Sequence, residues 1–196
     1  MFSNPSKDHS IILLNNFLQS KMSNYDSYRN FDYGIDNYKV VSALSPYISH
    51  GVLNEEYILK KVCSKSNKSN KFIQEIFWRV YWKGWLENKT IVWKNFRDYL
   101  ESFKDNKTEK LDGYDEATSG KTRIFPYNQW VLELKDTGYL HNHTRMWFAS
   151  IWIHYLGLPW QLGAKLFLEN LLDADPASNT LSWRWVAGLQ TKNKKY

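Results

Sequence analysis

Apolar residues recur at helical spacing through most of the chain. Ile11, Leu14, Phe17, Leu18 and Met22 form one stripe, which predicts a first helix over residues 10–22 with a packing role. The Tyr- and Asn-rich stretch that follows, NYDSYRNFDYGIDNYK, has no period and enough Gly, Asp and Asn to read as irregular. Ser45 followed by Pro46 predicts a helix start, because serine caps and proline suits the first helical position. Asn54 with Glu55 and Glu56 predicts another, closing on Lys60 and Lys61, so that each end carries the charge the macrodipole favours. SKSNKSNK at 64–71 reads as a polar loop, either solvated or touching a phosphate backbone. Residues 71–89 predict a long helix with Glu75, Trp78, Arg79 and Trp82 on one stripe, where Glu75 and Arg79 are spaced as a surface ion pair.

From Asn88 to Lys121 the periodicity is weak, and DNKTEKLDGYDEATSGKT reads as a long loop. Pro126 opens a helix running to Gly138, a second runs to Gly157, and Pro159 starts a third that reaches Leu172. No stretch alternates apolar and polar residues as a half-buried strand would. The expected class is all-α.

Composition sharpens this picture at a few points. The length of 196 residues is that of one domain with a substantial core, with residues 1–9 flexible and 190–196 a basic tail. A net charge of +6 favours a polyanionic partner, although a solvated basic surface explains it equally well. Ten Trp and thirteen Tyr exceed what an ordinary core requires and suit stacking, electron transfer or a partner interface. Cys63 is the only cysteine, so this chain forms no internal disulfide and supplies no four-thiolate iron-sulfur cluster. The N-terminal apolar run is too short for a signal peptide or a membrane span, so the expected location is cytoplasmic, with no membrane partner.

Candidate chemistry concentrates between Gly138 and Gly188. Asn142 and Arg145 lie three apart and share a helix face that Met146 continues. Asp173 and Asp175 bracket a turn, Asn179 follows, and Trp183 and Trp185 flank Arg184. Two carboxylates two residues apart on a turn are read as local hydrogen-bonding groups rather than a hydrolase acid and base. His141 and His143 form an HxH pair with no carboxylate or thiol at matching spacing, so no metal is expected.

The segments HNxxRM at 141–146, DxDxAxN at 173–179 and WxW at 183–185, with Trp160 ahead of the last two, resemble the FAD-binding helical domain of the photolyase and cryptochrome family. Two upstream segments fit the same pattern: S-x-L-S-P at 42–46, and the Q/N-E-x-x-W-R segment at Gln74 to Arg79. The resemblance implies FAD as cofactor. It places Ser42, Leu44 and Ser45 at the pyrophosphate, although a plain capped helix also explains them. Tyr25, or alternatively Tyr28, joins them at the cofactor. Arg145 and Asp173 become a charged pair beside the flavin ring, Asp175 holds the ribose or ring edge, Asn179 faces flavin N5, and Arg79 lies near flavin and substrate. Asn142 meets both the cofactor and the substrate. Glu75, Trp78, Met146 and Trp185 belong to the substrate side, with Glu75 reaching a pyrimidine dimer and Trp185 stacking on a lesion swung out of the duplex. Trp183 and Trp160 become the first two steps of an electron path. Each of these indoles also has an ordinary core reading.

The sequence departs from the family at several points. Val41 stands where a threonine is usual and Phe72 where a tryptophan is; of the W-x-x-G-x-T-G-x-P-x-x-D-A pattern of repair members, Tyr114 replaces the Trp and PYNQW at 126–130 replaces P-x-x-D-A. The third electron-relay residue has no match: Phe103 is a poor redox substitute, and Trp147, Trp152 or a nearby tyrosine remain open. The α/β antenna domain that precedes this helical domain in the family is absent from the sequence, and the segment after VAGLQTKNKKY that helps close the site is also absent, so a partner protein is one way to complete it. Three functions follow: a blue-light photolyase acting on pyrimidine dimers in DNA, a cryptochrome-like flavin photoreceptor, and a non-catalytic module binding nucleic acid or protein.

Overall fold

A computed structural model of the chain describes residues 5–35, 37, 39–66, 68–103 and 111–190. Residues 191–196 of the expected basic tail lie outside this set, as do 105–110 of the segment read as a long loop. Among the described residues the regular structure is helical throughout, with no strand, as the lack of two-residue alternation predicts. The chain divides into two compact units, Met1–Tyr81 and Trp82–Tyr196.

In the first unit, α1 (Lys7–Asn16) continues through a π-helical turn (Phe17–Lys21) into α2 (Met22–Tyr28). The helix begins earlier than its apolar stripe indicates, because Ser6 caps it by accepting the His9 N–H, and so Lys7 to His9 are helical rather than flexible. Leu14, Phe17, Leu18 and Met22 are buried as the stripe predicts. Their core is completed by Tyr47 and Ile48 of α3 (Ser45–Ser49), Ile58 and Val62 of α4 (Glu55–Cys63), and Phe72 and Ile76 of α5 (Asn70–Asn88). Asn54 caps α4 as expected, accepting the Tyr57 N–H at 2.8 Å.

Ser45 differs from expectation. It is the first residue of a five-residue helix, the cap position belongs to Leu44, and no side chain caps the helix. The chain enters through Ala43 at φ 55, with the Ser42 hydroxyl accepting the Leu44 N–H at 3.4 Å. The serine motif therefore builds a tight left-handed turn.

The second unit contains α6 (Thr90–Ser102), α7 (Tyr114–Ser119), α8 (Phe125–Thr137), α9 (Asn142–Ser150), a π-helical turn (Ile151–Tyr155), α10 (Trp160–Asn170) and α11 (Pro176–Val186). Two of these helices, α6 and α7, fall in the stretch read as weakly periodic. In α6 the inward stripe is Trp93, Phe96 and Leu100 at helical spacing, with charged residues between. Short α7 is framed by Gly113 and Gly120, both left-handed, and held from below by the Tyr127 hydroxyl, which donates to the Ala117 carbonyl. Trp152, Tyr127, Phe148, Leu134 and Leu140 form the centre of this core.

Gly138 positions the candidate site. It ends α8 at φ 66, and its carbonyl accepts the Leu172 N–H at 2.8 Å. A Cβ there would lie 2.7 Å from Leu172 Cγ. Only glycine both adopts this backbone readily and lets the segment before Asp173 lie against the start of α9.

Candidate functional site

The polar centre of the second unit is built on α9 and the turn between α10 and α11. Arg145 donates from Nε to the Leu140 carbonyl at 2.9 Å and from a terminal nitrogen to Asp173 Oδ2 at 3.0 Å, with its guanidinium 5.5 Å from the Tyr139 ring centroid. Its position is therefore fixed from three directions. The Asp173 side chain is 4% exposed and that of Arg145 24%. A carboxylate so buried is tolerable because a cation hydrogen-bonded to one of its oxygens accompanies it.

Asp175 is the N-cap of α11, accepting the N–H groups of Ala177 and Ser178 at 2.9 and 3.0 Å. This is the local hydrogen bonding expected of the closely spaced carboxylates. Asn179, one turn into α11, donates from its amide to the Ala164 carbonyl at 2.8 Å. That bond fixes which way the amide faces. Asn142 is the exposed first residue of α9, and buried His141 caps it by accepting the His143 N–H on Nδ1. Arg145 and half-buried Met146 continue the Asn142 face, as their spacing predicts.

The indoles of the expected path have ring neighbours of their own. Trp183 is buried and meets Phe167, Trp152 and Phe148 at ring-centroid distances of 5.1, 6.3 and 6.4 Å. Trp160 instead stacks on Phe96 at 5.5 Å and lies 5.9 Å beneath the Arg184 guanidinium. The two rings paired in the sequence reading each have other neighbours. Gly163 explains the close approach of Trp183 and Trp152: a Cβ at this position would lie 2.3 Å from Trp183 Cη2 and 3.0 Å from Trp152 Nε1. Sequence reasoning missed Gly163, because one glycine inside a helical pattern carries no sign of what packs on it. Trp185 is half-buried near the end of α11.

The first unit carries a second polar group. Glu75 accepts a hydrogen bond from the Tyr25 hydroxyl and pairs with Arg29 at 3.2 Å. Burial pushes its carboxyl above the usual carboxylate range, against the opposing pull of the Tyr25 hydrogen bond and the Arg29 charge. The structure thus gives Glu75 a partner in Arg29 that its helical spacing with Arg79 does not indicate, while Arg79 donates to the Ser49 hydroxyl at 2.5 Å. Tyr25 is buried edge-on against Phe17 and Phe72, whereas the alternative, Tyr28, is 48% exposed. Trp78 is exposed and meets Tyr81 edge-on at 5.4 Å. Ser42 and Ser45 are half-buried on either side of the Ala43–Leu44 turn.

Among the described residues, no three His, Cys, Asp or Glu side chains gather as a metal site, and no helix is long and apolar enough to cross a membrane.

The family described as the FAD binding domain of DNA photolyase matches residues 72–196, well over half of the chain. The chain belongs to this family. It is 30% identical over 190 residues to a deoxyribodipyrimidine photo-lyase of Agrobacterium fabrum, covering 94% of this chain and 38% of the relative. It is 28% identical over 175 residues to a cryptochrome DASH of Idiomarina loihiensis, covering 83% and 37%. The crystal structure of a bacterial class III photolyase from Agrobacterium tumefaciens matches with a TM-score of 0.79 at 27% identity, over 93% of this chain and 38% of the other. A Synechocystis cryptochrome, at 21% identity and a TM-score of 0.76 over 97% and 40%, shares the fold. The chain spans less than half the length of these relatives.

The cofactor of the family is FAD, and the photolyase-type residues present suit it. Arg145 and Asp173 offer a fixed charge pair. Asn179 Oδ1 and buried Ser178 Oγ make no hydrogen bond to the described chain and keep that capacity for a ligand. The same polar helical frame offers no thiolate cluster or metal-ligand set that would suit a different redox group among the described residues.

Proposed function

We propose that this photolyase-type domain binds FAD and takes part in blue-light-driven electron transfer to a pyrimidine dimer in DNA. The observation that carries the reading is the buried Arg145–Asp173 pair together with an Asn179 amide pinned on the Ala164 carbonyl. Bound and reduced, FAD supplies the photoexcitable electron. The chain's own residues hold and tune it. The charge pair orients the flavin edge, Asp175 fixes the start of α11, and the Asn179 amide faces N5. A neutral amide there favours a fully reduced flavin, which suits repair over signalling. Ala43, at positive φ ahead of right-handed Leu44, turns successive N–H groups to one side, a form that binds anions. Ser42, Leu44 and Ser45 are proposed to hold the pyrophosphate on that turn, with Tyr25 and Arg79 completing the cofactor contacts of the first unit.

For the flipped lesion, the resemblance supports substrate roles for Glu75 and Trp78 in the first unit and for Asn142, Met146 and Trp185 in the second. Glu75, held by the Tyr25 hydroxyl and Arg29, offers a fixed carboxyl group to the pyrimidine edge. Exposed Trp78 supplies a stacking wall. The test is repair of a thymine-dimer oligonucleotide by FAD-loaded protein under blue light, followed by recovery of thymine absorbance. Glu75→Ala and Trp185→Ala are expected to lower the rate on the order of tenfold or more. Bound FAD without repair in the wild type, in light and with reductant, would instead identify a cryptochrome-like photoreceptor.

A further inference from the structure

Indoles and phenols are the readily oxidised rings of a protein, and two sets of ring contacts in the second unit involve the relay candidates Trp183 and Trp160. The first runs from Trp183 to Trp152, at 6.3 Å between centroids, and from Trp152 to Tyr114, at 5.9 Å, both edge to face. Trp183 and Trp152 are buried, and Tyr114 is half-buried, so the branch leads from the interior toward solvent. Gly163 makes the first contact possible, since any side chain there would drive the two indoles apart.

The second branch starts at Trp160 and is poorly made for carrying a hole. Its stacking partner is Phe96, a ring without a nitrogen or oxygen to stabilise a missing electron. The Arg184 guanidinium also lies 5.9 Å from the ring centroid, and its charge opposes formation of a second positive charge on the indole. Trp160 has no ring contact with Trp183 among the contacts described above, whereas Trp152 does.

We infer that electrons reach the Trp183 position from solvent through Trp152 and Tyr114, with Tyr114 as the terminal donor of the relay. The inference rests on the proposed function and on the resemblance by which Trp183 is the first indole of the electron path to the flavin. An electron that leaves Trp183 for photoexcited oxidised FAD is replaced from Trp152, and Trp152 is refilled from Tyr114. Tyr114 releases its phenolic proton to water and is left as a neutral tyrosyl radical. An external thiol then returns a hydrogen atom, so that one electron enters the flavin and one thiol equivalent is oxidised per turnover. The tyrosine stands for the tryptophan that opens the W-x-x-G-x-T-G-x-P-x-x-D-A pattern of repair members, and the radical left at the end of this relay is a tyrosyl.

The experiment uses the full chain loaded with FAD, with bound flavin per protein measured by absorption before illumination. Wild type, Trp152→Phe, Tyr114→Phe and Trp160→Phe are illuminated with blue light in the presence of dithiothreitol. Flavin bleaching is timed, and radicals trapped by freezing are identified by electron paramagnetic resonance. The expected result is a light-induced tyrosyl signal in the wild type that Tyr114→Phe removes, with bleaching slowed on the order of tenfold in Tyr114→Phe and Trp152→Phe. Tyr114→Phe deletes a single hydroxyl on a half-buried ring, so it decides the matter even if the buried Trp152 variant folds poorly. Bleaching at the wild-type rate in both variants, or a loss confined to Trp160→Phe, overturns the relay. Wild-type protein that retains FAD and does not bleach also overturns it, leaving cofactor binding intact. Failure to retain FAD refutes the underlying function and the relay with it.

Discussion

Replacing Gly163 by alanine tests the packing on which the indole arrangement depends. In an open helical site this change would stabilise by roughly 0.8–1 kcal/mol through helix propensity. Gly163 is not open. The new Cβ would lie 2.3 Å from Trp183 Cη2 and 2.5 Å from Cζ3, against an optimum carbon separation of about 3.5–4.0 Å. One rigid indole must therefore move by more than an ångström, and Trp183 has Phe148, Phe167 and Trp152 around it. Overpacking of a filled core costs about 1–3 kcal/mol, and this clash belongs at or above the top of that range. After the propensity gain, net destabilisation of about 2 kcal/mol or more remains, which lowers Tm by roughly 4–8 °C or more. Thermal unfolding followed by circular dichroism measures it, and the near-ultraviolet indole signal should change with it. Gly84→Ala is the control, because nothing lies within 4 Å of a Cβ there and α5 should gain stability. A Gly163→Ala protein as stable as the wild type would refute the packing argument.

Two further outcomes follow from individual side chains. Asp175→Ala removes two hydrogen bonds to the start of α11 and should cost about 1–2 kcal/mol in urea unfolding, with Asp175→Asn retaining most of the stability. A wild-type unfolding midpoint for Asp175→Ala would deny the cap its role. Glu75 supplies the pH dependence. Burial raises its folded-state pKa above the unfolded value, so the folded chain binds that proton more tightly, and its contribution to stability falls as pH rises through this interval. The difference in Tm between wild type and Glu75→Gln should therefore grow in favour of the wild type as pH is lowered from neutral toward the ordinary carboxylate range. A difference that is constant with pH, or that slopes the other way, would show that the Tyr25 and Arg29 contacts outweigh desolvation.

Much of the helical layout is legible in the sequence because its boundaries use side-chain chemistry with a local mechanism. Asn54, Pro126, Gly138 and Pro159 mark helix ends through capping, fixed φ or left-handed backbone, and each lies at or next to an observed boundary. Helix α6 carries a helical stripe, Trp93, Phe96 and Leu100, that the weak-periodicity reading overlooks, whereas α7, six residues long, is too short to show one. The Ser45 difference has a similar origin. A serine before proline signals a cap, but the adjacent Ala43 adopts a left-handed backbone that no residue type announces.

The site divides the same way. Residues at fixed local spacing, such as Asn142, Arg145 and Met146, share the face their numbers predict. Pairings across long sequence separations do not follow from spacing. Glu75 pairs with Arg29, 46 residues away, and Trp183 meets Trp152. The glycine that permits the indole contact is visible only once the rings are in place.

The account depends on FAD being the resident cofactor. The most direct measurement is the absorption spectrum of dark-purified protein after incubation with FAD and removal of unbound flavin, recorded before and after blue light with a thiol present. One flavin retained per chain, with a visible band that bleaches in the light and recovers in air, is the predicted result. Protein that retains no flavin after this treatment would contradict the account.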